Sequence, residues 1–248
     1  MRIRWGNTLN HISSCEGVMR IPLYIEFQGK KVAVVGGGGV GTLRAKKFLE
    51  AGAEVTVFSH EFSDELVELS KSGAVKLVRT SIEKMDFDKL ASEFNLIVIA
   101  IGTKDFNSRV IEAAAKHKTM VNLANDAKIT EVVVPFEGGK DGIRFAVTTE
   151  GKSGVVARKV RDIFQKALEE QDELIYFLNA MDYLKNYMKA SKIPVNLRMK
   201  LYSIVSSDEK FLKFVRDGRV DEARKLAEEI VEDYVSGRKS AEDGGMQF

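Results

Sequence analysis

Residues 30–59, KKVAVVGGGGVGTLRAKKFLEAGAEVTVFS, restrict the possible folds more than any other stretch of the chain. The apolar run from Val32 to Val35 predicts a buried strand, the segment from Gly41 to Ala51 a helix, and EVTVFS a second strand. Between the first strand and the helix stand Gly36, Gly38 and Gly41, a G-x-G-x-x-G spacing in the strand-to-helix context that this motif requires. The first glycine permits the tight turn, the second lets a pyrophosphate approach the backbone, and the third lets helix and strand pack closely. The amides at the helix start then face the phosphates. Arg44 and Lys46 fall at the wrong spacing for the triphosphate loop G-x-x-x-x-G-K-[ST]. The alternative is that the glycines serve tight packing alone.

On this reading Gly36, Gly38, Gly39, Val40 and Gly41 hold a dinucleotide. A ribose-binding acid is expected where the second strand ends, and VTVFSHEF offers Ser59, His60 and then Glu61, the nearest carboxylate. No arginine stands in that stretch to take a 2′-phosphate, so NAD is expected over NADP, with Ser59 and Glu61 completing the cofactor set.

Strand and helix patterns alternate beyond this point: helix SDELVELSKSG, strand VKLVRT, helix FDKLASEF, strand LIVIAIG, helix NSRVIEAAAKHK and strand MVNLAND. β-branched strands separated by amphipathic helices predict a Rossmann-like α/β domain, a parallel sheet covered on both faces, over residues 19–134. Near Pro135 the pattern changes. EVVVPFEGGKDGIRFAVTTEG reads as two antiparallel strands and a glycine-rich turn, so that residues 135–168 form a β-rich connector. The chain is helical from Ser153, interrupted strongly only at Pro194, and residues 169–248 are expected to be a helical C-terminal domain with a polar tail. Residues 1–18 match no element and precede a second methionine, Met19, which suggests an upstream extension.

The 38 basic and 36 acidic residues of this 248-residue chain nearly cancel, so net charge gives no reason to expect a nucleic-acid or membrane partner. The lone Cys15 can build neither an internal disulfide nor a cysteine metal site, no apolar run approaches a membrane span, and a cytoplasmic protein is expected. His11, His60 and His117 lack metal-ligand spacing, so no bound metal is expected.

Two later stretches bear on the chemistry. NLANDAK at 122–128 follows a strand, and TTEGKSGVVARKVRD at 148–162 places Ser153 as a helix cap ahead of Arg158, Lys159 and Arg161. Such cations and helix-start amides suit a carboxylate-rich ligand, although a basic helical face is also commonly just solvated.

Taken with RIPLYIEFQGKKVAVVGGGGVG, DFNSRVIEAA and NLANDAK…VVVP, the segment AVTTEGKSGVVARKVRD occurs in the order and spacing of the precorrin-2 dehydrogenases. The chain resembles that family, which forms the N-terminal part of siroheme synthases and the stand-alone dehydrogenase/ferrochelatases, over about residues 20–168. The resemblance implies NAD-dependent oxidation of precorrin-2 to sirohydrochlorin, in some members followed by Fe(II) insertion to give siroheme, and a homodimer whose β-rich middle segment forms the interface. It also implies catalysis at the position of Asn125, where the family commonly has an acid. Asn cannot take a proton at neutral pH, which makes Asp126 the expected general base. Lys128, Thr149, Lys152, Ser153 and Arg158 are the expected substrate contacts. The family's usual alanine at the third glycine position is Gly41, and its usual proline after GKS is Gly154. Met181, Tyr183, Leu184, Tyr187 and Met188 share a helical face that either roofs the tetrapyrrole or packs as core. Two other readings stand at this stage: an NAD-binding sensor module without catalysis, and a tetrapyrrole chelatase or carrier without dehydrogenase activity.

Overall fold

The computed structural model describes residues 20–238, so the upstream extension before Met19, along with His11, Cys15 and the end of the polar tail, lies outside the described residues. The chain divides into two compact units, one ending at Val132 and the other beginning at Val133.

The first unit is a five-stranded sheet in the order β3-β2-β1-β4-β5, with every neighbouring pair parallel. Its strands are β1 (Lys31–Val35), β2 (Glu54–Ser59), β3 (Val75–Arg79), β4 (Leu96–Ile99) and β5 (Met120–Leu123). The helices are α1 (Gly39–Glu50), α2 (Asp64–Lys71), α3 (Phe87–Glu93) and α4 (Asn107–His117), with a 3₁₀ turn at Ile82–Lys84. The four residues of β4 are all buried, as a strand covered on both faces must be. Ala33, Val35, Ile97, Ile99, Val121 and Leu123 form one core with Phe87 and Leu90 of α3 and Val110 and Ala113 of α4. The starts of α2 and α3 are fixed by side chains: the Ser63 hydroxyl accepts from the Leu66 amide, and the Asp86 carboxylate from the Lys89 amide.

Boundaries shift where tertiary contacts intervene. Helix α1 begins at Gly39 rather than Gly41, because Thr42 N already donates to Gly38 O. β4 stops at Ile99 instead of reaching Gly102. The amides of Ala100 and Ala124 still bond across to Val35 O and Ile99 O, which ties the ends of β1, β4 and β5 together.

The second unit opens with the antiparallel hairpin β6 (Phe136–Lys140) and β7 (Ile143–Val147). Its turn is Asp141-Gly142, at φ 44° and 93°, the pair of left-handed residues that a two-residue hairpin loop uses. The stretch before Pro135 does not join this hairpin, since the Val132 amide bonds Val121 O of β5 instead. Helix α5 (Gly154–Glu169) docks on β6 through Gln165, which accepts from Gly139 N and donates to Gly139 O. A side chain at position 138 would start 2.5 Å from the Gln165 oxygen, so this contact needs glycine there.

The long helical run predicted from Ser153 breaks at Glu170-Gln171 between α5 and α6 (Asp172–Ala190). Lys140 marks the break, its ammonium donating to the Glu169 carbonyl at the end of α5 and to the Asp172 carboxylate at the start of α6. Helices α7 (Val195–Ser207), α8 (Glu209–Arg216) and α9 (Val220–Val235) follow. Leu184 and Met188 of α6 are fully buried against Leu201, Val205, Phe211 and Val215, with Met181 and Tyr187 packed on the same core. Tyr183 bonds the Glu228 carboxylate of α9. The apolar face of α6 is therefore used in packing the bundle.

Phe211 is fully buried and meets the Phe177 ring edge-on at 6.1 Å. Phe211→Ala is expected to lower the stability of the second unit by about 3–5 kcal/mol, read from the urea transition of the full chain.

Candidate functional site

The carboxyl ends of the parallel strands form an edge that carries the glycine turn, the end of β2 and the loops after β4 and β5. Gly36 has φ +119°, and a Cβ there would lie 2.5 Å from the Ala100 carbonyl oxygen at the end of β4. One at Gly37 would lie 2.2 Å from Glu61 O, and one at Gly41 1.9 Å from Gly36 O. At Gly41 this turn folds back closer than a methyl group permits. Gly38 and Gly39 have nothing within 4 Å of the equivalent position.

That contrast separates the roles of the glycines. Gly36, Gly37 and Gly41 close the turn against the protein, whereas Gly38 and Gly39 leave their backbone open. Helix α1 has no side-chain cap and no acid in its first turn, so its first amides remain available to an anion. Thr42 braces the turn by donating to Gly38 O, and its hydroxyl lies 2.8 Å from that of Ser63. Val40 is half exposed beside the open amides. An uncapped helix start over an open glycine backbone fits the pyrophosphate of a dinucleotide.

At the end of β2 the parallel register sets Arg79 of β3 opposite Ser59. Its Nη1 donates to the His60 carbonyl at 2.7 Å, and its guanidinium stands 5.8 Å from the centre of the Phe62 ring. No arginine stands in VTVFSHEF itself, but Arg79 reaches this corner from the neighbouring strand, twenty positions along the chain. Glu61 is exposed in the same turn.

After β5 the chain turns through Asn125 and Asp126. The Asn125 amide donates to Thr103 O at 2.5 Å, and its oxygen accepts from Asn107 Nδ2 at 3.2 Å. Asp126 is only 14% exposed at its side chain, and one carboxylate oxygen lies 2.9 Å from the Lys104 ammonium. The other oxygen accepts from Lys128 N at 3.2 Å. The hydrogen bond from Lys104 is the main reason that the Asp126 carboxyl is held below the ordinary aspartate range; the bond from Lys128 N and both lysine charges act in the same direction, and desolvation opposes them. Arg20 braces this loop from outside, donating to Ala127 O and Thr130 O. Lys128 itself is exposed.

The remaining expected substrate contacts belong to the second unit. Thr149 and Ser153 close their loop on each other: the Thr149 hydroxyl accepts from Ser153 N and donates to Ser153 O. Glu150 and Gly151 between them have φ 51° and 81°. The Ser153 hydroxyl caps α5 by accepting from Val156 N. Lys152 and Arg158 are exposed, while Arg161 turns back to Glu137 O and Asp162. Among the described residues no three His, Cys, Asp or Glu side chains gather as a metal site. No described helix is long and apolar enough to cross a membrane.

Lys104 and Asn107 were missed by the sequence reading, as was Arg79. All three could have been found from the strand order, since neighbours in a parallel sheet bring their following loops to one edge.

The two kinds of glycine predict different failures. Gly36→Ala should destabilise the fold by about 1–3 kcal/mol, because alanine at φ +119° is strained and meets a carbonyl. Gly38→Ala should melt close to wild type yet bind dinucleotide about tenfold or more weakly. Thermal melts and calorimetric titration with NAD would separate the two.

A family model described as "Putative NAD(P)-binding" matches residues 23–136. The "Putative precorrin-2 dehydrogenase" of Methanocaldococcus jannaschii is 29% identical over 195 residues, which make up 77% of this chain and 92% of that protein. "Siroheme synthase 3" of Aeromonas hydrophila is 27% identical over 150 residues, 60% of this chain but only 31% of the relative's length. The solved structure of "SirC, precorrin-2 dehydrogenase" superposes with a TM-score of 0.62 at 19% identity, covering 85% of this chain and 100% of that one, and so has the same fold. Likeness over nearly the whole length of one relative, together with an open glycine turn and a carboxylate at one sheet edge, gives the assignment: the chain binds a nicotinamide cofactor and is similar to the precorrin-2 dehydrogenases in sequence and in fold.

Proposed function

We propose that the protein oxidises precorrin-2 to sirohydrochlorin with NAD as acceptor, in siroheme biosynthesis. The observation that carries this reading is the Asp126 carboxylate, which shares a sheet edge with an open dinucleotide turn in a chain matched along most of its length by a dehydrogenase relative. The oxidation removes two electrons and two hydrogens from the macrocycle. Bound NAD supplies the acceptor for one hydrogen as hydride. Asp126 takes the other as a proton, with the Lys104 ammonium 2.9 Å from its carboxylate favouring the ionised form.

The protein's other contributions are to bind and orient. Gly38, Gly39 and the first amides of α1 hold the pyrophosphate. Glu61, exposed beside the end of β2, takes the ribose hydroxyls and disfavours a 2′-phosphate, while Arg79 is turned toward the His60 carbonyl. The acetate and propionate groups of precorrin-2 call for cations, and Lys128 offers one in the loop that carries Asp126. Fe(II) would be a second substrate of the same chain. A homodimer is also proposed, supported by Val155, Ile163 and Phe164, which α5 leaves exposed.

Anaerobic incubation with fresh precorrin-2 and NAD is expected to give a sirohydrochlorin spectrum with NADH formed in step, and NADP should serve less well. Asp126→Asn should lower turnover by about 10²–10⁴-fold with NAD affinity unchanged. Tight NAD binding with no NADH from precorrin-2 would reject the reading. Light scattering of the same sample gives the oligomeric state.

A further inference from the structure

The loops after β4 and β5 meet at two adjacent points. Residue 125 takes hold of residue 103 through the Asn125 amide and the Thr103 carbonyl, and residue 126 of residue 104 through the carboxylate and the ammonium. Asn107, the first residue of α4 and almost wholly buried, closes the arrangement by donating to the Asn125 oxygen. An aspartate at 125 would present only acceptors to the Thr103 carbonyl, so the first of these contacts depends on the amide. Fixing Thr103 fixes the backbone from which Lys104 springs, and the Asn107 amide adds a bond to Lys104 O at 3.0 Å. Lys104 therefore stands on a braced loop although its own side chain is 60% exposed.

We propose that Lys104 is a positioning residue for Asp126: it holds the carboxylate in place and in its charged form, with Asn125 as the brace that sets the lysine. This inference rests on Asp126 as the base of the proposed oxidation. The charges around Asp126 are few. Lys104 comes from the β4–α4 loop, Lys128 from its own loop, and Arg20 from the N-terminal segment, where its guanidinium is turned to the Ala127 and Thr130 carbonyls. Asp105, the neighbour of Lys104, accepts from the Thr103 hydroxyl. Lys104 is thus the one described cation whose side chain bonds directly to the Asp126 carboxylate. Once Asp126 has accepted a proton, the adjacent ammonium favours its release to water and resets the base.

The sign of the effect follows. The lysine lowers the Asp126 pKa, so removing it moves the protonation midpoint up in pH, and the acid limb of turnover must move with it. The test uses the full chain with labelled aspartate carboxyl carbons, Asp126→Asn assigning the resonance, and wild type, Lys104→Met and Lys104→Arg compared. Without any substrate, Lys104→Met should raise the Asp126 midpoint, while Lys104→Arg should stay near wild type. With precorrin-2 and NAD, the acid limb of kcat/KM, which reports the free enzyme, should rise by the same interval in Lys104→Met and be restored in Lys104→Arg. Superimposed carboxyl titrations would overturn the proposal, as would an acid limb that stays in place while the carboxyl midpoint moves. If the midpoint moves but the wild type turns over no precorrin-2, the pairing stands and the substrate reading falls.

Discussion

The close approach of Gly36 to the Ala100 carbonyl is the contact on which the rest of the site depends. It joins the end of β1 to the end of β4 at the place where the strand order reverses, with β2 on one side of β1 and β4 on the other. At such a reversal the connections leave in opposite directions and a crevice opens above the sheet. The left-handed conformation of Gly36 turns the chain sharply enough for α1 to start at Gly39 with bare amides, and Gly41 seals the turn against Gly36. A side chain at either residue would push α1 away from the sheet, and the open backbone at Gly38 and Gly39 would no longer lie beside the loops after β4 and β5.

The second dependence is electrostatic. The loops after β4 and β5 are irregular, and loops at a functional edge hold their geometry only when something ties them. Here the ties are polar and adjacent: an amide on a carbonyl and a carboxylate on an ammonium. Asn125 donates to the Thr103 carbonyl as an ionised acid could not, and the next residue, Asp126, supplies the carboxylate at this edge.

The parallel sheet could be read from the sequence because runs such as Val32–Val35 and Leu96–Ile99 are apolar without alternation, which only a doubly covered sheet explains. The glycine turn could be read from its spacing. Less legible were the features set by contacts between distant segments. Arg79 reaches the β2 corner through strand register, and Lys104 reaches Asp126 through the pairing of β4 with β5. The break between α5 and α6 is equally nonlocal, since Lys140 on the hairpin takes both helix ends. The hairpin turn at Asp141-Gly142 was obscured by the nearby Gly138-Gly139, of which Gly138 admits Gln165 and Gly139 lies close against the Ile143 carbonyl.

A base paired with an ammonium is weaker than a free one, which at first argues against Asp126. The substrate class changes that balance. A tetrapyrrole carrying many carboxylates brings negative charge to the site, and like charges raise the pKa of any nearby carboxyl group. With that substrate bound, the Lys104 ammonium 2.9 Å from the carboxylate would oppose the rise that those charges cause in the Asp126 pKa. Little basicity is needed at the moment of reaction, because departure of hydride leaves the macrocycle electron-poor and its remaining proton acidic. For such a substrate the constraint is the charge state of the base rather than its strength, and an aspartate held by a lysine on a braced loop meets that constraint.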